Sequence, residues 1–168
     1  QYSDDMGKTW SDPVTVAGTA ETGGNYGHGD ASIVTNRDNG DIIGIVTSAG
    51  TYGHGFFQGT AAEPPRWKTI TSHDGGETWD APVDHTDDLF GANCDNPDTK
   101  TWKSGFSGSG AALQKRDGTL VSNFVNRQAD NSQHFYFFMS KDGGKNWYVS
   151  GTSGTASADE PKSLERNN

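Results

Sequence analysis

The chain has 168 residues, a formal net charge of −9 and only 30% apolar residues, with 23 glycines among them. That composition describes a polar, turn-rich chain without the basic face that nucleic-acid binding requires, and its longest apolar stretch, Phe135 to Met139, is far short of a membrane-spanning helix. Cys94 is the single cysteine, so no disulfide framework forms within the chain, and Gln1 opens it without a visible signal peptide, which a cut terminus would not show.

An octapeptide, Ser3 to Trp10, opens the chain and returns at Ser72 to Trp79 and Ser140 to Trp147. Its first, third, fifth and eighth places are Ser3, Asp5, Gly7 and Trp10, then Ser72, Asp74, Gly76 and Trp79, then Ser140, Asp142, Gly144 and Trp147. The tryptophans recur 69 and 68 residues apart, which is an internal repeat. The frame describes a tight turn between strands. Ser and Asp side chains bond the backbone N–H groups of a reversing chain, Gly supplies a positive φ, and Trp returns apolar surface to the sheet. The turn reads as structural, because the oxygen ladder and closing Glu of a calcium loop are missing.

Between the octapeptides the chain spells two meanders. After Trp10, Pro13 to Ala17 reads as an outer strand, and a glycine-rich crossing from Gly23 to Asp30 leads onward. Ala31 to Thr35 and Ile42 to Thr47 are two strand-forming runs about the hairpin signal Asp38-Asn39-Gly40. A long loop, Ser48 to Pro65, precedes a third strand, Trp67 to Thr71, and Val83 begins a fourth. A polar, Asp-rich crossing from Asp84 to Lys103 then passes through Phe106-Ser107-Gly108-Ser109-Gly110 into Ala111 to Gln114. Thr119 to Val125, Gln133 to Met139 and Tyr148-Val149 complete the second meander, and Gly151 to Asp159 delivers Glu160 to a further innermost strand.

The octapeptide resembles the Asp-box, or BNR repeat, of the sialidase (neuraminidase) superfamily, which sits between the third and fourth strands of propeller blades. The resemblance implies an all-β fold, a partial six-bladed β-propeller with about two complete four-stranded blades and parts of two flanking ones. A closed propeller needs about four to eight blades, so residues 1–168 read as one partial domain of a longer chain. The remaining blades are expected to cover its exposed sheet faces. Asp-boxes also occur in non-catalytic propellers and in other glycosidases, so function has to come from other residues.

Topology sorts the loops. In an up-and-down meander the hairpins after first strands share one end with the octapeptides, and the other end carries the crossings and the longer, variable loops, where function is expected. That end collects Asp30, Tyr52, His54, Ser107, Ser109, Arg127 and Glu160, with Asp30, Ser109 and Glu160 nearest the channel as heads of innermost strands. The three octapeptides are expected together on the opposite face.

Three stretches are similar to bacterial exo-sialidases. Gly29 to Val34 followed by Arg37 to Ile42 resembles a second-blade strand and hairpin whose Asp contacts outer hydroxyls of sialic acid, here Asp30, with Ala31 where Pro is usual. The alternative for Asp30 is a cap on a glycine-rich turn. Trp102 to Gly110 resembles the glycine-rich entry to the third blade along the active-site wall, although small residues there equally suit close strand packing. No P-loop follows these glycines. Asp159 to Glu165 resembles the entry to the fourth blade, whose first Glu, here Glu160, lies beside a catalytic Tyr. The alternative is a solvated acid.

The resemblance implies retaining hydrolysis with Tyr as nucleophile and Glu160 as its base. The family's arginine triad, acid/base Asp and Tyr are expected outside this chain, and none of Arg37, Arg66, Arg116, Arg127 or Arg166 matches their positions. His28, Asp30 and His54 are the sole candidates for a metal, and solvated loop histidines are the plainer reading, so no metal or cofactor is expected. Tyr52, Phe56 and Phe57 are candidates to shape a pocket for an acyl group or aglycone, against local packing.

The leading expectation is therefore a segment of an exo-α-sialidase acting on sialylated glycoconjugates, secreted or at a bacterial surface, and inactive as the isolated chain. The rivals are a non-catalytic Asp-box module that binds glycan or protein, and another propeller glycosidase.

Overall fold

The computed structural model describes residues 1–18, 27–48, 59–150, 157 and 159–166. Two antiparallel sheets dominate. The first is built from β1 (His28–Thr35), β2 (Ile42–Ser48), β3 (Arg66–Ser72) and β4 (Val83–Asp84), in the order β4-β3-β2-β1. The short helix α1 (Thr86–Leu89) opens the crossing to the second sheet. There the innermost strand is broken into β5 (Ser104–Ser107), β6 (Gly110–Ala111) and β7 (Leu113–Gln114), followed by β8 (Leu120–Arg127), β9 (Gln133–Ser140) and β10 (Tyr148–Val149). β5 and β7 pair with β8, whereas β6 leaves the sheet and pairs in parallel with β1 through Ser32↔Gly110 and Ile33↔Ala111. Gly110 turns at φ +105°, and the Ala112 N–H bonds the Ile33 carbonyl at 3.0 Å.

Register explains the core. Val34↔Ile43↔Thr71 and Ser32↔Ile45↔Thr69 put alternate residues of the first sheet on one face, and Ser122↔Phe138 and Phe124↔Tyr136 do so in the second. One cluster unites these faces: Val34, Ile43, Ile45 and Trp67 meet Leu120, Phe124, Phe138 and Trp147. Full burial of each such side chain stabilises by about 1.5–3 kcal/mol. The sheets are also bonded across the interface, by Trp67 Nε1–H to Ser107 Oγ at 2.7 Å and by the Ser107 N–H to Thr47 Oγ1 at 3.2 Å.

The structure departs from the sequence reading in four places. Pro13 to Ala17 forms no strand, since an outer strand needs a neighbour and the described residues supply none beside it. The crossing from Asp84 to Lys103 is not merely polar. It buries Leu89, Phe90, Cys94 and Trp102, with Trp102 4.3 Å from the Tyr136 ring and Phe90 5.1 Å from that of Phe124. Its acids turn outward, Asp84 and Asp87 holding Arg66 at 2.6 and 2.9 Å. Ser109 heads no strand, because the innermost strand begins earlier, at Ser104, and Ser109 falls in the break between β5 and β6. Glu160 heads none either; residues 159–166 run without a strand ladder and are held by the bonds described below.

Candidate functional site

The octapeptides fold as tight turns of one design. In the second, the Gly76 N–H bonds Ser72 Oγ at 2.8 Å, Thr78 donates its N–H and hydroxyl to Asp74 at 2.9 and 2.5 Å, and Trp79 Nε1–H bonds the Gly76 carbonyl at 3.1 Å. In the third, the same roles fall to Gly144 on Ser140 at 2.9 Å, Asn146 on Asp142 at 3.0 and 2.6 Å, and Trp147 on Gly144 at 2.9 Å. The first turn repeats the pattern with Gly7 on Ser3 at 2.8 Å and Thr9 on Asp5 at 2.9 and 2.7 Å. Gly7, Gly76 and Gly144 all have φ between +82° and +99°. Thr9 bonds hold the Asp5 carboxyl down to about 2, and Thr78 bonds do the same for Asp74. In the second and third turns the Ser, Asp and Trp side chains of the frame are thus all used in holding the turn.

β1 begins opposite Ser48 and ends opposite Ile42, which faces Ser72. The second octapeptide therefore starts at the far end of the sheet from Asp30. The third likewise starts at Ser140, opposite Leu120 and away from the Ser104↔Arg127 end. Between them lies a cleft of about 510 Å³ lined by Asn36, Asp41, His73, Asp80, His85 and Lys141. Neither Asp30 nor Glu160 lines it.

Along the inner edge, three chain segments run side by side. β1 lies against β6, and Arg37 follows on, donating its N–H to Gln114 Oε1 and its guanidinium to the Lys115 carbonyl, both at 2.8 Å. On the opposite flank, residues 160–166 track the same innermost strand. The Pro161 carbonyl lies over Gly108, Lys162 Nζ bonds the Ser109 carbonyl, and the Arg116 N–H bonds Glu165 Oε2 at 3.1 Å. Ser32 is opposite Gly110 and Pro161 is against Gly108, which brings Asp30, two residues ahead of Ser32, and Glu160, one ahead of Pro161, near enough for their charges to interact.

Backbone geometry marks both acids. Asp30 sits in a β-bulge, between Gly29↔Thr47 and Ser32↔Ile45, at φ +50°. Glu160 has φ +44°. Left-handed backbone is uncommon for residues other than glycine, and a bulge re-aims the side chain it carries. Electrostatics link the two: the Asp30 carboxyl is pushed up, first by partial burial and then by the charges of Glu160 and Asp159. Asp159 and Glu160 are exposed and Asp30 half-buried.

The glycine-rich wall divides into two roles. Gly105 serves strand packing, because a Cβ there would come within 2.3 Å of the Val125 carbonyl oxygen and 2.4 Å of the Phe124 ring. Ser107 is buried in its bonds to Trp67 and Thr47. Ser109 offers its carbonyl to Lys162 and is half-buried. Arg66 is committed to Asp84 and Asp87, and Ser104 of the wall pairs with Arg127 at the sheet's end. Tyr52, His54, Phe56 and Phe57 lie outside the described residues. Among the described residues, no group of three or more His, Cys, Asp or Glu side chains is arranged to hold a metal ion. Sequence reasoning singled out the glycine-rich stretch that holds Gly108 but missed Asn123 and Lys162, whose roles depend on which segments come to lie together.

The whole chain, residues 1–168, matches the BNR repeat-like domain. A sialidase of Bacteroides fragilis (strain YCH46) is 29% identical over 160 residues, covering 86% of this chain and 27% of that protein. Among solved structures, the Hadza microbial sialidase Hz136 superposes with a TM-score of 0.78 at 24% identity, covering 92% of this chain and 30% of that one. A Trypanosoma rangeli sialidase in complex with sialic acid gives 0.75 at 20%, covering 98% and 27%. The chain thus spans between a quarter and a third of the length of these relatives, and the two sheets are neighbouring blades of a partial β-propeller. By its three Asp-boxes and by the match along its full length, the chain belongs to the BNR repeat-like domain family.

Proposed function

We propose that this chain supplies part of the active-site rim of a sialidase, a glycoside hydrolase that releases terminal α-linked sialic acids from glycoconjugates. The observation that carries the reading is the convergence of Asp30 and Glu160 on the inner edge, near enough for their charges to interact and each on a left-handed backbone. The sialidase name of the Bacteroides fragilis relative supports the substrate class.

The chemistry follows from the side chains. A carboxylate such as Asp30 accepts hydrogen bonds from sugar hydroxyls. Burial first, and then the charges of Glu160 and Asp159, raise its pKa, and those two acids cannot donate to it when ionised. Glu160 is exposed and acceptor-only, which suits a base that takes the proton of a tyrosine brought by another blade. In that scheme the phenolate oxygen bonds to the anomeric carbon as the glycosidic oxygen leaves with a proton from a separate acid, and water then cleaves the enzyme–sugar bond with retention. The sialic acid carboxylate calls for guanidinium partners. Those, the tyrosine and the acid belong to the remaining blades in this reading, as does the extracellular setting in which such substrates occur.

The test is turnover of a fluorogenic α-sialoside. A longer protein carrying this segment with its flanking blades hydrolyses it, with release of the α-anomer first, and the 168-residue chain alone does not. A longer protein that binds sialosides without cleaving them contradicts the enzyme reading, and turnover by the isolated chain contradicts the assignment of the tyrosine, the acid and the guanidinium partners to other blades.

A further inference from the structure

We propose that Gly108 and Asn123 form a seat that registers the segment 159–165 on the second blade, and that Asn123 is thereby a positioning residue for the Glu160 carboxylate. The inference rests on the reading of Glu160 and Asp30 as partners in one site. It explains how a segment without a strand ladder keeps a defined place.

Gly108 supplies the floor. A Cβ at this position would come within 2.6 Å of the Pro161 carbonyl oxygen and 3.3 Å of Asn123 Cβ, so no side chain fits beneath the segment. Asn123 supplies the peg. It is only 2% exposed, its carbonyl takes the Gly108 N–H at 3.0 Å, and its Oδ1 accepts the Ser163 hydroxyl at 2.5 Å. One β8 residue thus holds both the floor and the segment lying on it. Lys162 on the Ser109 carbonyl and Glu165 on the Arg116 N–H fix the direction of travel. The segment roofs an apolar groove of about 550 Å³ over Leu113, Val121, Phe137 and Met139, which gives it little polar surface to re-register on. With Pro161 and Ser163 pinned, Glu160 is one residue from a fixed point, on left-handed backbone at φ +44° and near enough to Asp30 for its charge to act there.

Titration of the Asp30 carboxyl by NMR in the 168-residue chain reads the register directly, because Asp30 senses the charges of Glu160 and Asp159. Glu160→Gln sets the reference by lowering the Asp30 pKa. Gly108→Ala and Ser163→Ala are expected to lower it in the same direction with the sheet spectrum intact, while Ser163→Thr, which keeps the hydroxyl, retains the parent value. Ser163 lies outside the core, so its variants remain informative if Gly108→Ala fails to fold. Parent-like titration in both Gly108→Ala and Ser163→Ala, with a lowered value in Glu160→Gln, overturns the seat. An unchanged value in Glu160→Gln overturns it also, by removing the segment from Asp30. Failure of the glycosidase reading shows separately, as a longer protein without sialoside turnover, and leaves this titration unaffected.

Discussion

Trp147 packs edge-on against Trp67, with ring centroids 5.1 Å apart and planes at 72°. The first belongs to the Asp-box of the second blade and the second to β3 of the first blade, so a turn residue joins two sheets. Truncation at such a site removes both transfer free energy and packing. Trp147→Ala is therefore expected to destabilise the chain by about 3–5 kcal/mol, measured by urea unfolding. Trp10, 62% exposed in the first Asp-box, sets the contrast, and Trp10→Ala should cost well under half as much. Equal losses would contradict the assignment of Trp147 to the inter-blade core.

The Asp-box carboxylates titrate as structural groups. Thr78 bonds hold Asp74 down to about 2, against an ordinary value of 3.8. A depressed folded pKa stabilises above the unfolded value, and that contribution is lost as pH falls through about 2. NMR titration should show Asp74 ionised through pH 3, and Thr78→Val should move its midpoint back toward the ordinary range. A midpoint near 3.8 in the parent chain would contradict the turn geometry.

His73 works in the opposite sense. Its Nδ1 lies 2.7 Å from Asp41 and its Nε2 3.1 Å from Asp80, and only the imidazolium donates from both nitrogens. The hydrogen bond to Asp41, then that carboxylate's charge, raises its pKa above 6.5. A raised folded pKa stabilises fully below the unfolded value, and the contribution is lost as pH rises through the folded one. Urea midpoints should fall on going from pH 6 to pH 8, and His73→Gln should remove that slope. A slope that survives the substitution assigns it to another group.

Much of this fold was legible because the Asp-box is a local device. Ser72, Asp74, Gly76 and Trp79 satisfy one another within one turn, so their spacing alone specifies the structure. The hairpin Asp38-Asn39-Gly40 likewise fixed β1 and β2 to within a few residues of their observed ends. The crossing from Asp84 to Lys103 was misread as polar because its five acids outnumber its four buried apolar residues, while Leu89, Phe90 and Trp102 show no strand period. At the candidate site, Asp30 and Glu160 stood out by position, but their proximity depends on β6 leaving its own sheet for β1. Nothing in the local pattern of Gly108-Ser109-Gly110 announces that exchange.

The most direct test of the account is the kinetic effect of Glu160→Gln in a longer, active protein that contains this segment. The substitution keeps size and hydrogen-bonding shape but removes the base. Turnover of an α-sialoside should fall by roughly two to four orders of magnitude, with a smaller change in substrate binding. Near-normal turnover in that variant would contradict the central claim.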